Sequence, residues 1–303
     1  MKTAFLFAGQ GAQKVGMGKD FYDHFPEVRA LYDENNLDFD IAKCCFEGPA
    51  EMLNDTAYAQ SCLLLTSYVM ADRLKQCGVV PGVVAGLSLG EYTALTYAGA
   101  FNLKDALTVV RKRGQLMAHA LPAGTGMMAA VLNADEALVA EVCAKASKVG
   151  VCDVANYNCP GQIVISGETA AVEKAKAMLL EKGVRRVMPL NVSGAFHSSL
   201  LEEASFELKA VLDHVVVDQP TVPVIYNVSG DFEEKPVKEL LIKQIHSSVY
   251  FEKSIRKMLA EGVDTFIEIG PGKTCGGFVK KIDKTVKVHC VEDLTSFEKF
   301  LAE

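Results

Sequence analysis

A serine sits at the centre of Gly86-Leu87-Ser88-Leu89-Gly90, between the apolar run Val83-Val84-Ala85 and the helix-compatible run Glu91-Tyr92-Thr93-Ala94-Leu95. That order reads as a strand, a sharp turn and a helix with the hydroxyl at the apex, the pattern of a nucleophile elbow. A serine hydroxyl is a poor nucleophile at neutral pH. The elbow exposes the oxygen, its small flanking residues let substrate approach, and the helix N-terminus offers amides to a developing oxyanion. Ser88 is therefore the candidate for covalent catalysis. Among six histidines, His197 stands out as the base because Ser199-Leu200-Leu201-Glu202 reads as a capping box starting a helix just behind it. The positive end of such a helix disfavours imidazolium and keeps the ring neutral. The plainer alternative is a helix-entry or surface histidine. A hydrolase triad would also need an acid to orient the ring, and of the many acids between Ser88 and His197 the sequence singles out none.

Arg113 is the second anomaly. At helical spacing its neighbours are Ala106, Val109, Val110, Leu116 and Met117, so the cation points into the core. Arg111 and Lys112 fall on a polar side instead. An unpaired buried guanidinium is costly, so Arg113 must meet an anion, either a structural carboxylate such as Glu91 or the carboxylate of a bound substrate. Its planar fork suits bidentate capture of a carboxylate. Two glycine-rich stretches invite a nucleotide reading and fail it. Gly9-Gln10-Gly11 lacks the third glycine of the dinucleotide fingerprint, and Gly270-Pro271-Gly272-Lys273-Thr274 has Ile267 where a phosphate loop needs glycine. The first follows strand one directly, where it is either a plain tight turn or the source of a second oxyanion-hole amide.

These groups must be positioned by an α/β framework. Thr3 to Ala8, Val83 to Leu87, Val222 to Asn227, Thr265 to Ile269 and Val286 to Val291 read as strands of a mainly parallel sheet, with long helices over Thr56 to Cys77 and Asn102 to Ala120. From Met127 to Leu190 the rhythm changes to βαββαβ, the ferredoxin-like order. The expected organisation is an α/β-hydrolase-like large domain over 1–124 and 195–303, with an inserted ferredoxin-like small domain over 125–194. A ligand site belongs at their junction.

Composition narrows the function classes. A formal net charge of −7 argues against bulk nucleic-acid binding, and nine scattered cysteines without a C-x-x-C pair suggest neither a disulfide framework nor a zinc site. A reducing cytoplasm is the expected setting. The opening apolar run is too short for a secretion signal and is expected as a core strand. No stretch approaches the roughly 20 apolar residues that span a bilayer. No metal, membrane or nucleic-acid partner is expected, and the chain is expected to act as a monomer.

Several motifs in order carry a family resemblance: Phe7-Ala8-Gly9-Gln10-Gly11-Ala12-Gln13, Gly86-Leu87-Ser88-Leu89-Gly90-Glu91-Tyr92, Arg113-Gly114, Asn156-Tyr157-Asn158-Cys159-Pro160-Gly161-Gln162, Gly194-Ala195-Phe196-His197-Ser198 and Gly270-Pro271-Gly272-Lys273. Over almost its entire length the chain resembles the malonyl-CoA:acyl carrier protein transacylases, the acyltransferases of type II fatty acid synthesis. The resemblance implies ping-pong transfer. Ser88, activated by His197, would take malonyl from malonyl-CoA and pass it to the phosphopantetheine thiol of acyl carrier protein, with no cofactor beyond the thioester substrate. It further implies oxyanion-hole amides from Gln10 and Leu89, Arg113 on the free malonyl carboxylate, and Asn158 lining the pocket. Phe196, before the histidine, resembles malonyl-selective members.

Departures from the pattern are few. Leu87 replaces a common histidine, and the histidine-orienting backbone carbonyl is expected from Tyr250, where the family usually has a glutamine, with Ser248 in place of a frequent proline. The rival readings are a serine thioesterase, a noncatalytic carrier-binding protein, and an acyltransferase serving a polyketide pathway. Arg185, Arg186, Lys273, Lys280 and Lys281 are docking candidates for an acidic carrier, against the simpler reading of solvated surface charges.

Overall fold

The computed structural model describes residues 2–192 and 194–303. Four parallel strands, β1 (Thr3–Phe7), β2 (Val83–Gly86), β7 (Thr265–Ile269) and β8 (Lys287–Val291), form the first sheet in the order β2-β1-β7-β8. Side chains alternate across a strand, and β1 shows it: Phe5 and Phe7 join one buried cluster, Ala4 and Leu6 the other. Both faces are covered, so the inner strands read as continuous apolar runs. The long helices Thr56–Gln76 and Leu103–His119 cover one face, with Phe251–Ala260 and Thr274–Ile282 on the other. The two long helices begin where the sequence places them. Asp55 accepts from the Ala57 N–H and Asn102 from the Asp105 N–H, each satisfying an amide that the first turn leaves free.

β3 (Gly126–Leu132), β4 (Cys152–Cys159), β5 (Gln162–Glu168) and β6 (Arg186–Pro189) form the second sheet, antiparallel in the order β4-β5-β3-β6. Helices Glu136–Ala146 and Thr169–Glu181 complete the βαββαβ order and pack on one face, against Ala129, Val131, Ile163 and Ile165. The opposite face carries Met128, Ala130 and Val164 towards the first sheet. Val249 stitches the two parts together. Its N–H donates to Ala155 O (2.8 Å) and its carbonyl accepts from Tyr157 N–H (2.9 Å), while the Tyr157 and Tyr250 rings stack at 5.1 Å. Among the described residues, no helix is long and apolar enough to cross a membrane.

Two expected local structures do not form. Val222 to Asn227 makes a single parallel bridge to Val84 rather than a strand, because its later amides donate elsewhere: Tyr226 N–H to Asp231 O, and Asn227 N–H to the Glu91 carboxylate. The capping box at Ser199 to Glu202 is also absent. Ser199–Leu201 is a 3₁₀ turn leading into the helix Glu202–Asp213, and both the N–H and the hydroxyl of Ser199 donate to Asp153 instead (2.8 Å each).

Candidate active site

Ser88 leaves the end of β2 with φ 55° and ψ −104° and caps the helix Leu89–Tyr97. A non-glycine residue at positive φ is strained by about 1–3 kcal/mol and persists only where its surroundings hold it. The glycines on either side allow the turn to close. A Cβ on Gly86 would overlap the Gly90 carbonyl, and one on Gly90 the Phe7 carbonyl oxygen. Around the turn, Ser88 N–H donates to Asn227 Oδ1 (2.7 Å), Asn227 Nδ2 donates to Gly86 O (2.7 Å), and Gln244 Nε2 donates to Ser88 O (2.9 Å).

Ser88 Oγ lies 2.7 Å from His197 Nε2. The other ring nitrogen, Nδ1, lies 2.9 Å from Gln244 O. A carbonyl can only accept, so Nδ1 carries the proton and Nε2 offers its lone pair to the serine hydroxyl. Burial pushes the His197 pKa down to about 4; the Arg113 charge adds to this and the Gln244 carbonyl opposes it. The ring is thus neutral at pH 7, as a general base must be. Burial and Arg113 achieve this, in place of the expected helix terminus.

The orienting carbonyl corrects the expectation for Tyr250. Tyr250 O is the first acceptor of the helix Phe251–Ala260, taking Ser254 N–H and Ser254 Oγ–H at 3.0 Å each. Its ring is used in the stack at the joint between the sheets. The residue at the histidine is a glutamine after all, six positions earlier. The stripe rule that finds Arg113 could have found it: Val237, Leu240, Leu241 and Gln244 recur at helical spacing, and all four are buried. Asn227 carries no such signal, since it follows an apolar run that does not form a strand.

Arg113 is completely buried. Nη1 donates to Gln60 Oε1 (2.7 Å), while Nη2 donates to Gln244 Oε1 (2.9 Å) and lies 3.2 Å from Ser88 Oγ. The guanidinium stands 5.1 Å from the Tyr92 ring centroid, and among the described residues Nε has no partner. Among the described residues no carboxylate comes within the 4 Å of a salt bridge to it. Glu91 in particular is not that partner. It accepts from Asn227 N–H (2.5 Å), and its burial raises its pKa to about 8.

A cavity of about 210 Å³ opens between the two sheets at Ser88 and His197; Arg113 lies beneath its wall, behind the lining residues Ser88 and Gln60. Gln10, Ser88, Leu89, Phe196 and His197 line it, with Asn158 contributed by β4 of the second sheet. Among the described residues, the N–H groups of Gln10 and Leu89 donate to no protein acceptor. Asn158 Oδ1 is buried and equally unpartnered. A larger surface cleft of about 790 Å³, between the end of Leu103–His119 and the helix Glu202–Asp213, contains neither Ser88 nor His197, and we assign it no chemistry. The five basic candidates are all exposed. Lys273 pairs with Glu292 (3.0 Å), and Lys280 Nζ donates to Val286 O (2.6 Å).

A serine on a strained strand-to-helix turn, bonded to a neutral histidine, defines the class of serine-nucleophile acyl-transfer enzymes. The chain belongs to the acyl transferase domain family, which it matches over residues 4–293. Within that family it is 48% identical over 302 residues to the malonyl CoA-acyl carrier protein transacylase of Bacillus subtilis (strain 168), covering 98% of this chain and 95% of the relative. The structure of the transacylase of that name from Clostridium perfringens superposes with a TM-score of 0.96 at 44% identity, over 100% of this chain and 96% of that one. A malonyl-transacylase solved in complex with its type II PKS acyl-carrier protein superposes with a TM-score of 0.96 at 33% identity, over 100% and 99% of the two chains.

Proposed function

We propose that this enzyme moves the malonyl group from malonyl-CoA to the phosphopantetheine thiol of acyl carrier protein, through a malonyl ester on Ser88, in fatty acid synthesis. The observation that carries the reading is the buried Arg113 guanidinium, which has no carboxylate partner among the described residues and stands 3.2 Å from the nucleophile. A diacid thioester brings the missing anion, and a neutral acyl group does not.

In the first half-reaction His197 Nε2 takes the hydroxyl proton as Ser88 Oγ attacks the thioester carbonyl carbon. The oxyanion receives the Gln10 and Leu89 N–H groups. The carbon–sulfur bond then breaks, and the leaving thiolate takes the proton from His197. In the second half-reaction the carrier thiol gives its proton to His197, its sulfur attacks the ester, and Ser88 regains the proton. Arg113 holds the far carboxylate throughout, and Asn158 faces the acyl group. The Phe196 ring narrows the space beside an α-carbon, a discrimination worth about 1–3 kcal/mol per methyl-sized group. No step calls for a cofactor.

A neutral carbonyl behind His197 stabilises imidazolium less than a carboxylate would, which favours a thiol acceptor over water. Candidates for docking an acidic carrier are Arg185 and Arg186, which precede cavity-lining Leu190 in the chain, and Lys273, Lys280 and Lys281, at the start and on the body of the helix that supplies Thr274 and Phe278. Nine unpaired cysteines suit a cytoplasmic setting, and a monomer suffices for the site. The test is to incubate the protein with radiolabelled malonyl-CoA and holo acyl carrier protein. Label on the carrier is expected. Rapid release of free malonate with no labelled carrier would replace transfer by hydrolysis.

A further inference from the structure

The segment Pro223 to Asn227 runs beside β2 as the beginning of a parallel ladder. Val84 N–H donates to Pro223 O (2.9 Å), and Ile225 N–H donates to Val84 O (3.1 Å). The next rung of such a ladder would take Asn227 N–H to Gly86 O. That amide is committed to Glu91 Oε2, and the Asn227 side chain makes the rung instead, through Nδ2. Its Oδ1 reaches two residues further and accepts Ser88 N–H. One carboxamide thus supplies the donor that Gly86 needs and the acceptor that Ser88 needs, where the chain turns out of the sheet. On the other side of Ser88, its carbonyl accepts from Glu91 N–H (3.1 Å), in the first turn of the helix, and from the Gln244 carboxamide (2.9 Å). The Ser88–Leu89 peptide is planar and trans, so fixing the Ser88 carbonyl towards Gln244 turns the Leu89 N–H the opposite way.

We propose that the side-chain amides of Asn227 and Gln244 are positioning groups that clamp the two peptide planes flanking Ser88 and so aim the Leu89 N–H at the reacting carbonyl. Asn227 leads this pair, because Gln244 also holds Arg113 and His197. The inference rests on the acyl-transfer reading above. Neither amide touches substrate. Each acts through the main chain of the elbow, which holds Ser88 at its positive φ and presents an oxyanion donor. Misaiming that donor weakens an interaction made in the transition state, which lowers kcat and leaves KM in place.

The experiment measures malonyl transfer by the full chain, normalised to the fraction of protein that gains malonyl mass. In N227A, kcat per labelled site is expected to fall about ten- to a hundredfold, with KM within about threefold. N227D keeps the volume and the acceptor for Ser88 N–H but loses the donor to Gly86 O, so it is expected to recover part of the loss. In Q244L the main-chain carbonyl at His197 survives; kcat per site falls, and KM rises as well because Arg113 loses a partner. A merely structural asparagine would lower the melting temperature and the labelled fraction while leaving kcat per site untouched. Per-site kcat in N227A within about threefold of wild type, per-site kcat in N227D indistinguishable from wild type, or an Asn227 variant with raised KM and unchanged kcat, overturns the proposal, and N227D decides the matter if N227A does not fold. Malonyl mass on the wild-type chain is the control: its absence would sink the acyl-transfer reading itself, and its presence with unaffected variants would sink only the clamp.

Discussion

The floor and the roof of the cavity are built on opposite principles. On the floor, Gly86 O, Ser88 N–H and Ser88 O all have side-chain amide partners, so that among the described main-chain groups beside the nucleophile the Gln10 and Leu89 N–H groups stay free for an oxyanion. On the roof, the open face of the antiparallel sheet presents Met128, Ala130 and Val164 beside Asn158, whose Oδ1 is buried with no partner among the described residues. Buried polar atoms are normally paired, and an unpaired one costs about 1–3 kcal/mol. The difference separates the tasks. The floor holds a strained nucleophile in one geometry, and the roof leaves its bonding capacity for a ligand.

The sharpest way to break this division is S88A. Malonyl mass on the protein is expected to vanish and transfer to fall by about 10⁴-fold or more, on the scale of nucleophile deletions in other serine enzymes; covalent malonyl on the variant would refute the assignment of the floor. Next comes R113Q. Removing one member of a buried charge pair costs about 2–5 kcal/mol, so kcat/KM for malonyl-CoA should drop by about 30- to 5,000-fold, and a change within twofold in steady-state assays would hand the cavity to a neutral acyl group.

The third test concerns stability. Glu91 is pushed up to about 8 in the folded chain and is near 4.5 when unfolded, so between these values the folded state holds a proton that the unfolded state has lost. The stability it contributes is complete below about pH 4.5 and drains away as pH rises through about 8. E91Q is expected to lose this dependence. Its urea midpoint, compared with that of wild type at pH 5 and pH 8, should gain on the alkaline side, by at most a few kcal/mol. Parallel curves for the two proteins would mean that Glu91 is ionised on folding. The smallest effect is expected on the roof: N158A should raise KM less than about tenfold with kcat nearly constant, as for lost uniform binding. A hundredfold loss in kcat would move Asn158 into the chemistry and erase the contrast.

Much of the framework was legible because it follows local rules. Strand β7 falls on Thr265 to Ile269 as read, the βαββαβ order follows its alternating patterns, and the apolar neighbours of Arg113 disclose its burial. What escaped depends on partners distant in sequence. Asn227 meets Gly86 and Ser88 across more than 130 residues, a contact that no periodicity encodes. The orienting carbonyl was placed at Tyr250 by resemblance, whereas helical spacing from Val237 leads to Gln244. Ser199 to Glu202 had the composition of a capping box, but Asp153 in the second sheet competes for Ser199 and wins both of its donors. Tertiary contacts overrode local preference at the places where the two sheets meet.

The stitch at Val249 has a mechanical consequence. Four residues separate it from Gln244, too short a run to take up slack, so the strand β4 and the acceptor of His197 travel as one piece. A hinge that swung the roof wide would drag the imidazole's anchor with it and disarm the base. Entry and exit of the acyl chain must therefore run along the seam between the sheets, and the same seam that admits a thioester arm meters how much water can follow it.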